Sequence, residues 1–154
     1  MRTVVARLGA GVATAGLAVL VTGTFLPWLR SGSVLRDSYQ SAGAVRDLVG
    51  GLNAQVSALL AGWPAVIPCC AVSVAGYALG LRRSAAILGL VVAVTVGTAA
   101  GLVAVQTTGA AALVGPVTIG PVVTLVGATI VLIGTITVVI CPRAARWGAA
   151  GGSP

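Results

Sequence analysis

Polar and apolar positions along this chain are segregated into blocks rather than interleaved. Four apolar runs, Leu8–Trp28, Leu59–Leu81, Ser84–Gln106 and Ile119–Ile140, contain no Asp, Glu, Lys, Arg or His. Each holds about 20 residues or more, and ~20 residues rising ~1.5 Å apiece cross a hydrocarbon core ~30 Å thick. The pattern predicts an all-α integral membrane protein, a four-transmembrane-helix bundle forming a single domain over residues 1–154. Spans fall at 8–28, 59–81, 84–106 and 119–140, with a partly helical outer loop at 29–58 and a tail at 141–154.

Local signals refine the connections. In the outer loop, Ser31-Gly32-Ser33 is turn-prone, and Ser41 is placed to cap a helix leading toward the second span. Val45, Leu48, Val49, Leu52, Val56 and Leu59 repeat at helical spacing, with Gly50-Gly51 predicting a bend between them. Pro64 suits the first turn of the second span, whereas Pro68 one turn on predicts a kink. Gly120-Pro121 opens the fourth span. The preceding stretch, 109–117, is almost wholly apolar, and either re-entry into the bilayer or exposure fits it.

Composition agrees with the membrane reading: 58% of residues are hydrophobic and 7% charged, against roughly one-quarter charged in soluble domains. The net charge of +7 comes from nine arginines and two aspartates. The basic residues flank apolar spans, as expected for contact with anionic lipid, so the lipid bilayer is the expected partner and nucleic acid is excluded. Arg2, Arg7, Arg82, Arg83, Arg143 and Arg146 share one side with no acid. Arg30, Arg36 and Arg46 lie on the other, offset by Asp37 and Asp47. Positive-inside asymmetry therefore predicts a multi-pass protein of the cell membrane with both termini cytoplasmic. The first run is longer than a 7–15-residue signal core and lacks a small-residue cleavage pattern, so it is expected to remain as a span.

Aromatic and small residues mark boundaries and packing faces. Phe25, Trp28 and Trp63 fall at the outer boundary and Tyr77 and Trp147 at the inner one, where amphipathic rings anchor at headgroup level. Helices in lipid associate through close approach at small residues. Gly89, Ala93, Gly97 and Gly101, spaced by four, form the longest such ladder; Gly120, Thr124 and Ala128, and Gly9 with Ala13, form shorter ones.

Reactive chemistry has little to build on. No span carries an ionisable group of the kind intramembrane proton transfer needs. The small multidrug-resistance exporters share the span number and size, but they depend on a membrane glutamate and this chain has no glutamate. Cys69-Cys70 and Cys141 do not form a Cys-x-x-Cys pair, and with no histidine a metal site lacks ligands. No catalytic constellation, metal or cofactor is expected, and the protein is read as not an enzyme. The outer loop retains one possible binding cluster, Arg30, Arg36, Asp37, Tyr39, Arg46 and Asp47. It can grip an anionic partner, or its arginines can pair locally with the two aspartates.

The run Phe25-Leu26-Pro27-Trp28-Leu29-Arg30-Ser31-Gly32 with Arg36, Ser38 and Tyr39, and the later Gly120-Pro121-Val122-Val123-Thr124-Leu125-Val126-Gly127, resemble small four-span membrane proteins of high-GC Gram-positive bacteria. More distantly, the layout is similar to that of the tryptophan-operon-associated membrane protein family, although the tail departs from it. The resemblance implies the topology and no activity. Two functions are open: an accessory or scaffold component of a cell-envelope complex, meeting another membrane protein, and a pore or facilitator built from further copies of the chain.

Overall fold

The computed structural model describes residues 2–31, 33–49, 58, 60–106 and 114–140. Three uninterrupted helices account for the first, third and fourth apolar runs: α1 (Arg2–Phe25), α4 (Arg82–Gln106) and α5 (Ile119–Ile140). Within them Val4–Phe25, Arg82–Val105 and Ile119–Ile140 are long and apolar enough to cross a membrane. Their outward positions are apolar as well, Val91, Val94, Leu102, Ile133 and Ile136 all being more than half exposed. A helix apolar on every side belongs in lipid rather than water. Threonines on these helices satisfy their own hydroxyls: Thr14, Thr98, Thr129, Thr135 and Thr137 each donate to the carbonyl four residues back, so none needs water.

The second run is built differently. The chain turns at Gly62, forms a 3-10 turn over Trp63–Ala65 and only then enters α3 (Val66–Ala78). Pro68, where a kink was expected, lies in the first α-helical turn after the 3-10 turn, where an absent N–H removes no α-helical bond. The continuous apolar helix Trp63–Ala78 rises about 25 Å, short of a ~30 Å core. It ends in a Schellman turn: Gly80, at φ 79°, donates to the Tyr77 carbonyl at 3.2 Å, and Leu81 donates to the Gly76 carbonyl at 2.8 Å. Glycine suits the left-handed position there, and the turn delivers the chain directly into α4.

The helices pack in the order α1, α5, α4, α3, with α3 returning to α1. The closest seam joins α1 to α5. A Cβ added to Gly16 would lie 2.7 Å from the Val131 amide nitrogen; one on Gly23, 2.6 Å from the Thr124 nitrogen. From the other side, a Cβ on Gly127 would lie 2.7 Å from the Leu20 Cα, and one on Gly134 would lie 2.8 Å from the Ala13 Cα. Each step of seven up α1 (Gly9, Gly16, Gly23) is matched by a step of seven down α5 (Val138, Val131, Thr124). The pair is antiparallel with a heptad repeat of glycine on both partners. A 3.5-residue period keeps one face of each helix on the seam, and glycine lets the backbones meet.

The Gly89–Gly101 face of α4 also meets α5, less tightly. A Cβ on Gly97 would lie 3.0 Å from the Ala128 Cβ, one on Gly89 3.7 Å from the Thr135 Cγ2, and one on Gly101 3.8 Å from the Leu125 Cδ2; Ala93 is buried. This pair too is antiparallel, so α1 and α4 point the same way.

Beyond the end of α1 the structure is not all helical. Leu29–Ser31 (β1) pairs antiparallel with Val34–Arg36 (β2) on one side and with Val114–Pro116 (β3) on the other. The all-α expectation is corrected here. Two residues separate β1 from β2, and a Gly-Ser link between short runs of strand formers is a hairpin signal. β3 draws residues 114–116 of the apolar 109–117 stretch into this sheet; 107–113 lie outside the described residues. Pro116 occupies an edge strand, where its missing donor is tolerated.

Candidate functional site

The sheet and the helix α2 (Ser38–Val49) make a cap over one end of the helices, and two tryptophans tie it there. Trp28 leaves α1 through Pro27. Its backbone extends the sheet, the N–H donating to the Arg36 carbonyl at 2.9 Å and the carbonyl accepting from Val117 at 2.8 Å. Its indole N–H donates to the Gly23 carbonyl at 3.0 Å, an acceptor near the end of α1 that also takes the Leu26 N–H at 3.3 Å. The ring lies over Gly120, where a Cβ would sit 2.6 Å from the indole nitrogen.

Trp63 meets Trp28 edge to face, with centroids 5.9 Å apart and planes at 76°, the geometry the ring quadrupoles favour. Its indole N–H donates to the Ser38 hydroxyl at 3.2 Å, and that hydroxyl donates onward to the Thr24 carbonyl at 2.7 Å. One chain of bonds thus ties the start of α3, the start of α2 and the end of α1. Thr24 Oγ1 donates to the Val21 carbonyl at 2.7 Å and lies 3.3 Å from the Tyr39 hydroxyl; the Tyr39 ring packs on Phe25 at 5.5 Å. Burial pushes the Tyr39 phenol above its ordinary value of 10.0, outweighing the hydrogen bond to Thr24 that lowers it.

Trp28 and Trp63 were expected as headgroup anchors. Both are buried, at 5% and 7% exposure, with their N–H groups spent on protein acceptors, so they are internal struts. Tyr77 is likewise buried, within a cluster that includes Ala13, Ala85, Ala86 and Val138. Trp147 and the rest of the tail 141–154, including Cys141, lie outside the described residues. Cys70 is buried in the apolar core and Cys69 half-buried, both as free thiols.

The polar cluster of the 29–58 loop is redistributed by α2. The helix begins at Ser38, three residues before the expected cap at Ser41. Asp37 is the capping residue, its Oδ1 accepting the Gln40 N–H at 2.9 Å. Ser41 instead donates to the Asp37 carbonyl at 2.6 Å. With its carboxylate on the helix end, Asp37 makes no ion pair with Arg36 or Arg46. Arg30 and Arg46 are exposed and Arg36 is half-exposed. The side chain of Asp47 lies outside the described residues, as do residues 50–57 with the expected Gly50-Gly51 bend. Val34 and Leu35 on β2 are 55% and 56% exposed, so the hairpin presents two aliphatic side chains followed by an arginine.

Neither Ser38 nor Thr24 stands among the site residues expected from the sequence. Asp37-Ser38 is a legible helix start, but nothing local announces that Ser38 bridges Trp63 to Thr24. Among the described residues no group of three or more His, Cys, Asp or Glu side chains converges. No family model matches the chain, and no curated protein or solved structure shows significant similarity to it.

Proposed function

We propose that the protein is a non-enzymatic, four-span component of the cell membrane with cytoplasmic termini, serving as an accessory or scaffold subunit of an envelope complex. The observation that carries this reading is the cap. A sheet and a helix, locked by Trp28, Trp63, Ser38 and Thr24, hold the exposed Val34 and Leu35 beside Arg36 at a fixed position over the helix ends. A platform tied to the helix ends, with an apolar tip beside the half-exposed Arg36, suits protein recognition. Arg36 on this side runs against the positive-inside bias, and the Asp37 carboxylate that could have paired with it caps α2 instead.

Direction supports the fourth crossing. α1 and α4 are parallel, so a chain that has left α1 at the cap must return to the other side before α4 begins. α3 runs that way, from Trp63 beside the cap to the Schellman turn before Arg82. The pore reading is less well supported, because the Gly, Ala and Thr faces it needs as a lining are occupied by neighbouring helices of the same chain.

Purification from native membranes in a mild detergent tests the proposal. A stoichiometric partner should accompany the wild-type chain and be lost from Leu35→Asp and Arg36→Ala variants whose thermal melting is unchanged. Retention of the partner by both variants, or recovery of the chain only with copies of itself, would overturn it.

A further inference from the structure

At the end opposite the cap, an apolar groove of about 190 Å³ lies between α4 and α5, open to the outside. Its walls are Ala86, Ile87 and Leu90 on α4 and Thr135, Ile136 and Val139 on α5. The one hydroxyl among them is turned inward: Thr135 Oγ1 donates to the carbonyls of Val131 and Leu132, which leaves a greasy wall. Arg83 stands three and four residues before Ala86 and Ile87, hence on the same face of α4, one turn toward the helix start. Arg83 is exposed and its neighbour Arg82 half-exposed. The chain's two acids, Asp37 and Asp47, both belong to the loop at the cap end, so neither neutralises these arginines.

We propose that this groove is the seat of one anionic diacyl phospholipid, with an acyl chain along the Ala86–Leu90 wall and its phosphate at Arg83. The charge pattern decides the occupant. An apolar groove alone accepts the tail of any lipid, whereas a guanidinium at its mouth selects a headgroup with net negative charge, and a planar fork binds phosphate oxygens in pairs. The distances are compatible: α4 rises about 10 Å from Arg83 to Leu90, enough for the upper methylenes of one chain below a headgroup. A basic site between spanning helices at the membrane surface is a recurrent form of lipid headgroup recognition. The inference rests on the membrane placement of α4 and α5 and is independent of any partner at the cap.

Native mass spectrometry of the full chain in a mild detergent provides the test, with phosphatidylglycerol and phosphatidylcholine of identical acyl chains as probes. One phosphatidylglycerol should be retained in preference to phosphatidylcholine, by about five-fold for each arginine engaged. Arg83→Gln should lower that ratio several-fold, and Arg82→Gln with Arg83→Gln should bring it close to one. Arg7→Gln, at the same end on α1, should leave it unchanged. Leu90→Trp, filling the groove, should reduce retention of both lipids; because Arg83 is exposed, the Arg83→Gln result stands even if Leu90→Trp does not fold. Glycerol 3-phosphate should not compete, since it lacks the chain. Equal retention of the two lipids, an effect of Arg7→Gln as large as that of Arg83→Gln, full competition by glycerol 3-phosphate, or a dimer that holds no lipid would each overturn the proposal.

Discussion

Gly127 of α5 and Leu20 of α1 meet backbone to backbone: a Cβ on Gly127 would lie 2.7 Å from the Leu20 Cα and 2.9 Å from its Cβ. Neither is the far end of a flexible side chain, so the helices themselves must separate if Gly127 is enlarged. Gly127→Val should destabilise the protein by at least the ~1–3 kcal/mol typical of overpacking, read as a lower melting temperature in detergent. Gly11→Ala is the control. A Cβ there meets nothing within 4 Å, and the better helix former should stabilise by up to about 1 kcal/mol. Equal melting of the two variants would remove the seam from the account of stability.

The α4–α5 contact should be graded along its length. Gly97→Leu should lower the melting temperature, since even a Cβ approaches that of Ala128 to 3.0 Å. Gly101→Ala, at 3.8 Å from Leu125, should be neutral or mildly stabilising. An unchanged profile for Gly97→Leu would mean that this face accommodates bulk by sliding outward into lipid.

Trp63 is tested by keeping its ring and removing its donor. Trp63→Phe retains most of the edge contact with Trp28 but loses the bond to Ser38, which should cost about 0.5–1.5 kcal/mol. Ser38→Ala should cost more, because it strands both the Trp63 N–H and the Thr24 carbonyl. In a double-mutant cycle the two changes should be non-additive; strict additivity would show that the 3.2 Å bond contributes nothing.

Tyr39 makes the cap sensitive to alkali. Its folded-state value is raised by burial, so the folded protein holds the phenolic proton more tightly than the unfolded chain does. The associated stability is complete below about pH 10, the unfolded value, and is lost as pH rises through the higher folded value. Tryptophan fluorescence from Trp28 and Trp63 should report loosening above pH 10. Tyr39→Phe should weaken that dependence, and an identical profile in the variant would assign the change to other groups.

The topology is checked by single cysteines in a background without Cys69, Cys70 and Cys141. Ser33 and Ser84 are both exposed and lie at opposite ends of the helices. A membrane-impermeant maleimide added to intact cells should label Ser33→Cys and not Ser84→Cys; the reverse pattern would invert the orientation.

Much of the helical framework was legible because burial in lipid needs only length and apolarity. The absence of charge from 8–28, 84–106 and 119–140 leads directly to α1, α4 and α5. The second run shows the limit of that logic, since hydropathy averages across Gly62 and cannot register that the helix restarts after it. Small residues at four-residue spacing mark the looser α4 face. The tighter seam repeats every seven residues, at Gly9, Gly16 and Gly23 and again at Gly120, Gly127 and Gly134. That period was present in the sequence and marks the α1–α5 contact.

By itself the sequence determined a protein built of apolar helices long enough to cross a membrane, with its arginines and aspartates outside the four apolar runs. Those properties are sums over local residues, and lipid acts on them one segment at a time. Only the tertiary structure decided the use of the polar and aromatic residues at the helix ends. Trp28 and Trp63 became internal struts, Asp37 became a helix cap, and Leu29–Ser31 became the middle strand of a sheet. Each outcome depends on a partner distant in the chain, such as Trp63 for Ser38 or Val114 for Ser31. A hydrogen bond or a ring contact is specified by where two segments arrive together, which no local pattern contains.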